Sequence, residues 1–255
     1  MGWLKMKIFY NSATGNSLYV AKTIRAEIKD CELISISKAL KENKFDVNEE
    51  VIGFIYPIHC GGLPIVVNEF ISKLKIKNTA YVFAIGVTGG GGADISFSQI
   101  NKLLPNKISN YCTIKYISNY TRAGKNPTEK RAKDAIKENE SILLQFIDSL
   151  KKRESINKEF KAGIGNLAYK MWKDYYKNKD KKFNVNDKCI GCKMCEQVCP
   201  VDNIIIENSK PKWSGKCTDC MACINICPKE AINIGKATIK KNRYINPYIR
   251  REELL

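Results

Sequence analysis

Eight of the eleven cysteines in this 255-residue chain fall between Cys189 and Cys227, in two runs of identical spacing. Cys189-Ile190-Gly191-Cys192-Lys193-Met194-Cys195-Glu196-Gln197-Val198-Cys199-Pro200 returns twenty-eight residues later as Cys217-Thr218-Asp219-Cys220-Met221-Ala222-Cys223-Ile224-Asn225-Ile226-Cys227-Pro228. Thiols at such short intervals let one loop wrap three corners of a metal centre, while the fourth ligand must come from elsewhere. The N-terminus has no long apolar stretch with a small-residue cleavage site, and residues 7–10 read instead as a first strand. The chain is therefore expected to be cytoplasmic, where clustered cysteines bind metal rather than form disulfides. Two four-cysteine zinc sites can be written on these residues, but the tandem triplet followed by Cys-Pro is a more specific signature.

That signature resembles the bacterial-type two-cluster ferredoxins, in which the fourth cysteine of each run ligates the other cluster. The resemblance covers about 45 residues. It implies one [4Fe-4S] cluster on Cys189, Cys192, Cys195 and Cys227, and a second on Cys217, Cys220, Cys223 and Cys199, with Pro200 and Pro228 turning the chain out of each site. Each run is followed by an isoleucine-rich strand, 204–206 and 232–234. Residues 184–255 are thus expected to form a small α+β two-cluster ferredoxin-like domain with a C-terminal extension.

Residues 1–152 have a different grain. Short β-rich runs at 6–10, 32–36, 51–58, 81–87 and 111–117 read as buried parallel strands, alternating with helical patterns at 17–30, 64–75 and 94–104. A last helix is expected to open at Asn126-Pro127-Thr128-Glu129 and run to about Lys152. Five strands alternating with helices predict an open, doubly wound α/β sheet with its ligand crevice at the carboxyl ends of the strands. Directly after the first strand, Ser12-Ala13-Thr14-Gly15-Asn16-Ser17 offers hydroxyls, an amide and a glycine at a helix N-terminus, which suits an anion. This loop resembles the phosphate loop of flavodoxins and implies a flavodoxin-like, FMN-binding domain with an open five-stranded parallel sheet. In such a sheet the loops after the third and fourth strands reach the flavin, which nominates Pro57, Ile58, His59, Cys60, Gly61 and Gly62, together with Thr88, Gly89, Gly90, Gly91 and Gly92. Neither loop carries the aromatic residues that usually sandwich the ring, so its glycines are expected to allow close backbone approach, with Tyr120 as a candidate stacking partner. Cys31 and Cys112, in strands, read as core.

Composition matters where it tempts toward a wrong partner. The formal charge is +17, but +7 of it lies within residues 151–183. There Ile156, Phe160, Ile164, Leu167, Met171 and Tyr175 recur at three- and four-residue steps among lysines, predicting a basic amphipathic linker helix over 153–183. Two clusters with their thiolates add about −2 each, and a phosphate dianion lowers the total to roughly +11. No recognition helix or zinc finger accompanies the lysines, which argues against nucleic acid. No apolar run approaches the roughly 20 residues of a membrane span. The expectation is a docking surface for redox partner proteins with acidic faces.

The two modules in one chain resemble the flavodoxin–ferredoxin fusion proteins of anaerobic bacteria, the EFR-type ferredoxins. The resemblance implies an electron-transfer protein that relays low-potential electrons between FMN, two [4Fe-4S] clusters and partner oxidoreductases. Two alternatives stand beside it: a flavin-dependent reductase of a small quinone-like or activated-alkene acceptor, fed by its own clusters, and an iron–sulfur protein whose flavodoxin-like module only docks.

Overall fold

In the computed structural model, residues 5–160, 165–175 and 179–255 are described, the side chain of Tyr175 excepted. Five strands, β1 (Met6–Tyr10), β2 (Cys31–Ser35), β4 (Val51–Pro57), β6 (Tyr81–Thr88) and β7 (Asn110–Lys115), form one all-parallel sheet in the order β2-β1-β4-β6-β7. Two-residue strands β3 (Asp46–Val47) and β5 (Lys75–Ile76) make a separate parallel pair. Counting only the five sheet strands, the order is 2-1-3-4-5, the flavodoxin-like member of the doubly wound class.

Alternate side chains of the sheet feed two cores, as a parallel sheet covered on both faces requires. On one face Ile8, Ile55 and Ile85 pack with Val20 and Ile24 of α1 (Asn16–Glu27) and with Phe146 and Ile147 of α6 (Glu140–Lys151). On the other, Phe9, Phe54 and Tyr56 meet Ile36 of α2 (Ile36–Lys41), Phe70 of α3 (Ile65–Lys73) and Phe97 of α4 (Asp94–Leu103).

The single helix expected from 126 to 152 is two, α5 (Glu129–Glu138) and α6, separated at Asn139. The Asn139 amide donates to the Lys115 and Ala135 carbonyls at 2.9 and 3.0 Å, tying the break to the edge strand. The cap of α5 is Thr128, whose hydroxyl accepts from the Arg131 N–H at 3.3 Å, so Pro127 lies outside the helix.

The expected linker helix over 153–183 is also corrected. Residues 154–160 run as irregular chain along the sheet, with the Ile156 N–H on the Ser109 carbonyl at 2.7 Å and Phe160 packed against Phe97 and Tyr111. Among the described residues of this segment, α-helix occupies α7 (Gly165–Tyr175), and a 3₁₀ turn follows at Lys179–Lys182. The aliphatic stripe is not the buried face, since Leu167 is 61% and Met171 64% exposed while Tyr169 and Trp172 are buried. Ile164 and the Tyr175 side chain lie outside the described residues.

The C-terminal region is small and two-fold repetitive. β8 (Phe183–Val185) pairs antiparallel with β11 (Ile232–Ile234), and β9 (Ile204–Glu207) forms a hairpin with β10 (Lys210–Trp213). Short helices α8 (Met194–Gln197) and α9 (Ala222–Ile226) follow the second cysteine of each run. Phe183, Ile204, Ile224, Ile232 and Ile234 pack with the buried Cys195, Cys199 and Cys223, and Val201 also packs on the core of the sheet domain. Lys41 of α2 binds Asp202 at 2.5 Å and donates to the Cys199 carbonyl at 3.3 Å, closing the seam between the two units.

Candidate redox site

The eight clustered cysteines sort into two groups of four. One cavity is lined by Cys189, Cys192, Cys195 and Cys227, the other by Cys199, Cys217, Cys220 and Cys223. Each takes three thiols from one run and one from the other, because the turn at each Cys-Pro carries the fourth cysteine across the repeat. Corresponding backbone positions are left-handed in both copies, Gly191 and Lys193 in the first, Asp219 and Met221 in the second, which lets each loop curl around its cavity. Among the described residues no three His, Cys, Asp or Glu side chains converge closely enough for a single ion. Four thiols around each cavity match the ligand set of a [4Fe-4S] cluster. Backbone N–H groups of Asn203, Asp219 and Ala231 donate to the sulfurs of Cys199, Cys217 and Cys227, each at 3.3 Å, as ligand thiolates require. Burial pushes the thiols of Cys195 and Cys220 up to about 12 and that of Cys217 to about 11, so iron must supply the charge that deprotonates them.

At the carboxyl ends of β1, β4, β6 and β7 lies a cleft of roughly 910 Å³ including its mouth. It is the switch point of the strand order, where doubly wound sheets bind ligands. Ser12, Ala13, Thr14, Asn16 and Ser17 line it from the first loop, Pro57, Ile58, His59 and Cys60 from the second, Thr88 and Gly89 from the third, and Tyr120 from the loop after β7. Within the first loop the hydroxyls divide their work. Ser12 Oγ accepts from the N–H groups of Gly15 and Leu18 at 3.1 and 3.2 Å, shaping the turn. Thr14 Oγ1 accepts from the Asn119 amide at 2.8 Å, which leaves its own O–H free to donate. Asn16 binds the C-terminal tail, its Oδ1 taking the Tyr244 hydroxyl at 2.6 Å and the Asn246 amide at 3.0 Å. Gly15 is left-handed, and a Cβ there would lie 3.0 Å from Asn246 and Ile249, so the tail packs directly on the loop.

The glycines do less for a ligand than the sequence suggests. Gly61, Gly62 and Gly90, Gly91 and Gly92 do not line the cleft. A Cβ on Gly89 would meet Ser118 at 2.6 Å, and one on Gly62 would meet the Tyr169 ring at 2.4 Å, so protein packing claims both spaces. A Cβ added at Gly90, Gly91 or Gly92 would meet nothing within 4 Å.

Sequence reasoning missed Trp172 and Asp219, and both line the cleft. Trp172 comes from α7, 5.6 Å from the His59 ring and edge-on to it. Asp219 comes from the cysteine repeat: its carboxylate, fully buried, receives Arg122 Nε at 2.7 Å, the Tyr120 hydroxyl at 2.8 Å and Lys179 Nζ at 3.4 Å. Burial lowers the Lys179 pKa, and the Asp219 charge partly offsets this. No motif marks either residue; the one clue was an aspartate where the first copy of the repeat has glycine.

The residues fit a flavin. Desolvation drops His59 to about 4, so its imidazole is neutral, and its Nδ1 is buried without a hydrogen-bond partner on a wall of the cleft. A heteroaromatic ring with polar edges satisfies such an atom. Burial raises the Tyr120 and Cys60 pKa values, keeping both protonated.

Sheet order, switch-point cleft and phosphate-type loop define a flavodoxin-fold redox domain, and the cysteine quartets define a two-cluster ferredoxin beside it. A flavodoxin domain family matches residues 7–116, and a 4Fe-4S dicluster domain family matches residues 188–232. The chain is a flavodoxin–ferredoxin fusion, with FMN and [4Fe-4S] clusters as the cofactors of its two domains. Among solved structures it is similar to a flavoprotein in complex with FMN from Lactobacillus acidophilus (17% identity, 44% of this chain and 93% of that one, TM-score 0.34). It is also similar to the Trp repressor binding protein of Bacillus subtilis (16%, 55% and 97%, TM-score 0.36). A third is rubredoxin oxygen:oxidoreductase from Desulfovibrio gigas (14%, 58% and 36%, TM-score 0.36). No curated protein matches the chain. Among the described residues no helix is long and apolar enough to cross a membrane.

Proposed function

We propose that this chain relays single electrons between its two clusters and its flavin, and exchanges them with partner oxidoreductases that present acidic faces. The observation that carries the reading is that Cys220 lines both the flavin cleft and the second cysteine cavity. The two redox sites therefore meet at this residue, which forms part of the wall of both. Bound in these sites, FMN exchanges electrons singly or in pairs and each cluster exchanges one.

The protein's own part is to hold and shield. Cys189, Cys192, Cys195 and Cys227 would ligate one cluster, and Cys217, Cys220, Cys223 and Cys199 the other. Thr14, Ser17 and the free N–H groups at the start of α1 would hold the phosphate, with Pro57 to Cys60, Thr88, Gly89 and Tyr120 around the ring. Asp219 ties the second cysteine run to Tyr120 and Arg122 of the flavodoxin domain and to Lys179 of the linker, which keeps the shared wall closed. Exposed Lys170, Lys173, Lys181 and Lys182 offer the basic surface for a partner.

The reductase alternative gains nothing from the cleft. Its histidine is neutral and its two thiols and its phenol have raised pKa values, so none of these is poised to deliver protons near neutral pH, and its carboxylate is already engaged by cations. An anaerobic preparation should contain about eight irons, eight sulfides and one FMN per chain, with no sustained turnover of quinones or activated alkenes. Sustained FMN-dependent turnover would favour the reductase.

A further inference from the structure

The two ring-side loops bring no Phe, Tyr or Trp to the flavin cleft, yet an indole stands in its wall, contributed by the helix that joins the domains. α7 is seated at two points. At its start, Gly165 packs on α4, where a Cβ would come within 2.8 Å of the Ile95 side chain. One turn on, Tyr169 fills the space above Gly62, and its hydroxyl donates to the Leu63 carbonyl at 2.8 Å. Gln99 Oε1 accepts the Leu63 N–H at 2.8 Å and braces the same turn. Trp172 follows Tyr169 by three residues and so shares its face of the helix. The two rings are 5.7 Å apart, Trp172 is 8% exposed, and it also stands edge-on to the His59 imidazole.

We propose that α7 is the flavin's aromatic lid: Tyr169, keyed into the notch at Gly62, positions the helix, and Trp172 supplies the wall for the isoalloxazine ring. Linker docking and ring binding are then one equilibrium, and Gly62 serves the ring through Tyr169 without touching it. This inference rests on the flavin assignment of the cleft.

The test compares anaerobically purified wild type, Trp172→Ala, Trp172→Phe, Gly62→Ala and the Gly62→Ala/Trp172→Ala double variant by FMN dissociation constant, flavin circular dichroism and tryptophan emission. Loss of one aromatic stack should weaken FMN about ten- to hundredfold in Trp172→Ala, while Trp172→Phe stays within about threefold. Gly62→Ala should match Trp172→Ala, and the double variant should be no weaker than either alone, because both break one device. Removing FMN should raise tryptophan emission in wild type and much less in Trp172→Phe, a reading that survives if the alanine variants do not fold. Unchanged affinity and flavin dichroism in Trp172→Ala, or equal recovery of emission in wild type and Trp172→Phe, overturns the lid. Wild type without flavin, or full FMN content in Thr14→Ala/Ser17→Ala, overturns the flavin assignment instead.

Discussion

Asp219 is where the two domains depend on one charge. Its left-handed backbone, φ 56°, occupies the position that Gly191 holds in the first copy of the repeat, an arrangement costing about 1 kcal/mol for a side-chain-bearing residue. The carboxylate is fully buried against Arg122 and Lys179, whose side chains are 16% and 10% exposed. Asp219→Asn keeps the shape but leaves two nearly buried cations facing each other. Breaking a buried pair costs about 3–5 kcal/mol, and the residual solvent at both cations favours the lower end, about 3. For a chain of this size that is a fall of roughly 6–12 °C in the unfolding midpoint. Asp219→Gly loses the same charge but recovers the backbone term, so it should fall about 1 kcal/mol less. Adding Lys179→Met to Asp219→Asn removes one of the two facing cations and should restore part of the loss. Anaerobic thermal unfolding of the holoprotein, followed by cluster and flavin absorbance, measures all three. A midpoint within 2 °C of wild type for Asp219→Asn refutes the reasoning, as does a further drop on adding Lys179→Met.

Other predictions follow from neighbouring contacts. Thr14→Ala/Ser17→Ala should weaken FMN by at least tenfold, since each charge-assisted bond to phosphate is worth about 1–3 kcal/mol; equilibrium dialysis of holoprotein reads it. Asn246→Ala removes the side-chain amide that binds Asn16 Oδ1 at 3.0 Å, although the backbone N–H at 246 keeps its bond to the Thr14 carbonyl, and should speed FMN release in stopped-flow dilution. The His59 pKa lies near 4 in the folded chain and about 6.5 unfolded, so between these values the unfolded state binds a proton that the folded state refuses. Its contribution is fully present above pH 6.5 and is lost as pH falls toward 4, at most about 3 kcal/mol, and the stability difference between wild type and His59→Gln should carry that slope. Reduction by an acidic partner protein should slow with rising salt and slow further in Lys170→Glu/Lys173→Glu, measured against an unchanged rate with dithionite.

What the sequence disclosed was local. Ligand spacing within twelve residues, an isoleucine strand after each cysteine run, and a hydroxyl-rich turn between strand and helix all fix chemistry at short range, and the structure gathers each quartet around its own cavity. What it hid depends on distant partners. The glycines of the two ring-side loops suggested backbone approach to a ligand, but Gly62 and Gly89 make room for Tyr169 and Ser118, which no pattern pairs with them. α7 was misjudged because aliphatic periodicity pointed to Leu167 and Met171, whereas the helix buries Tyr169 and Trp172. Asn139 splits the last helix because its amide serves an edge strand 24 residues earlier. The tail after Ile234 showed no motif, yet Tyr244 and Asn246 hold the phosphate-type loop.

The central claim is that electrons cross the Cys220 wall within one molecule. Anaerobic stopped-flow, with the clusters reduced in a rapid first phase and flavin absorbance followed afterward, tests it across a tenfold range of protein concentration. The account predicts a first-order flavin phase whose rate constant does not change with concentration and which slows in Asp219→Asn. A rate that rises in proportion to protein concentration, as transfer between separate molecules requires, contradicts it.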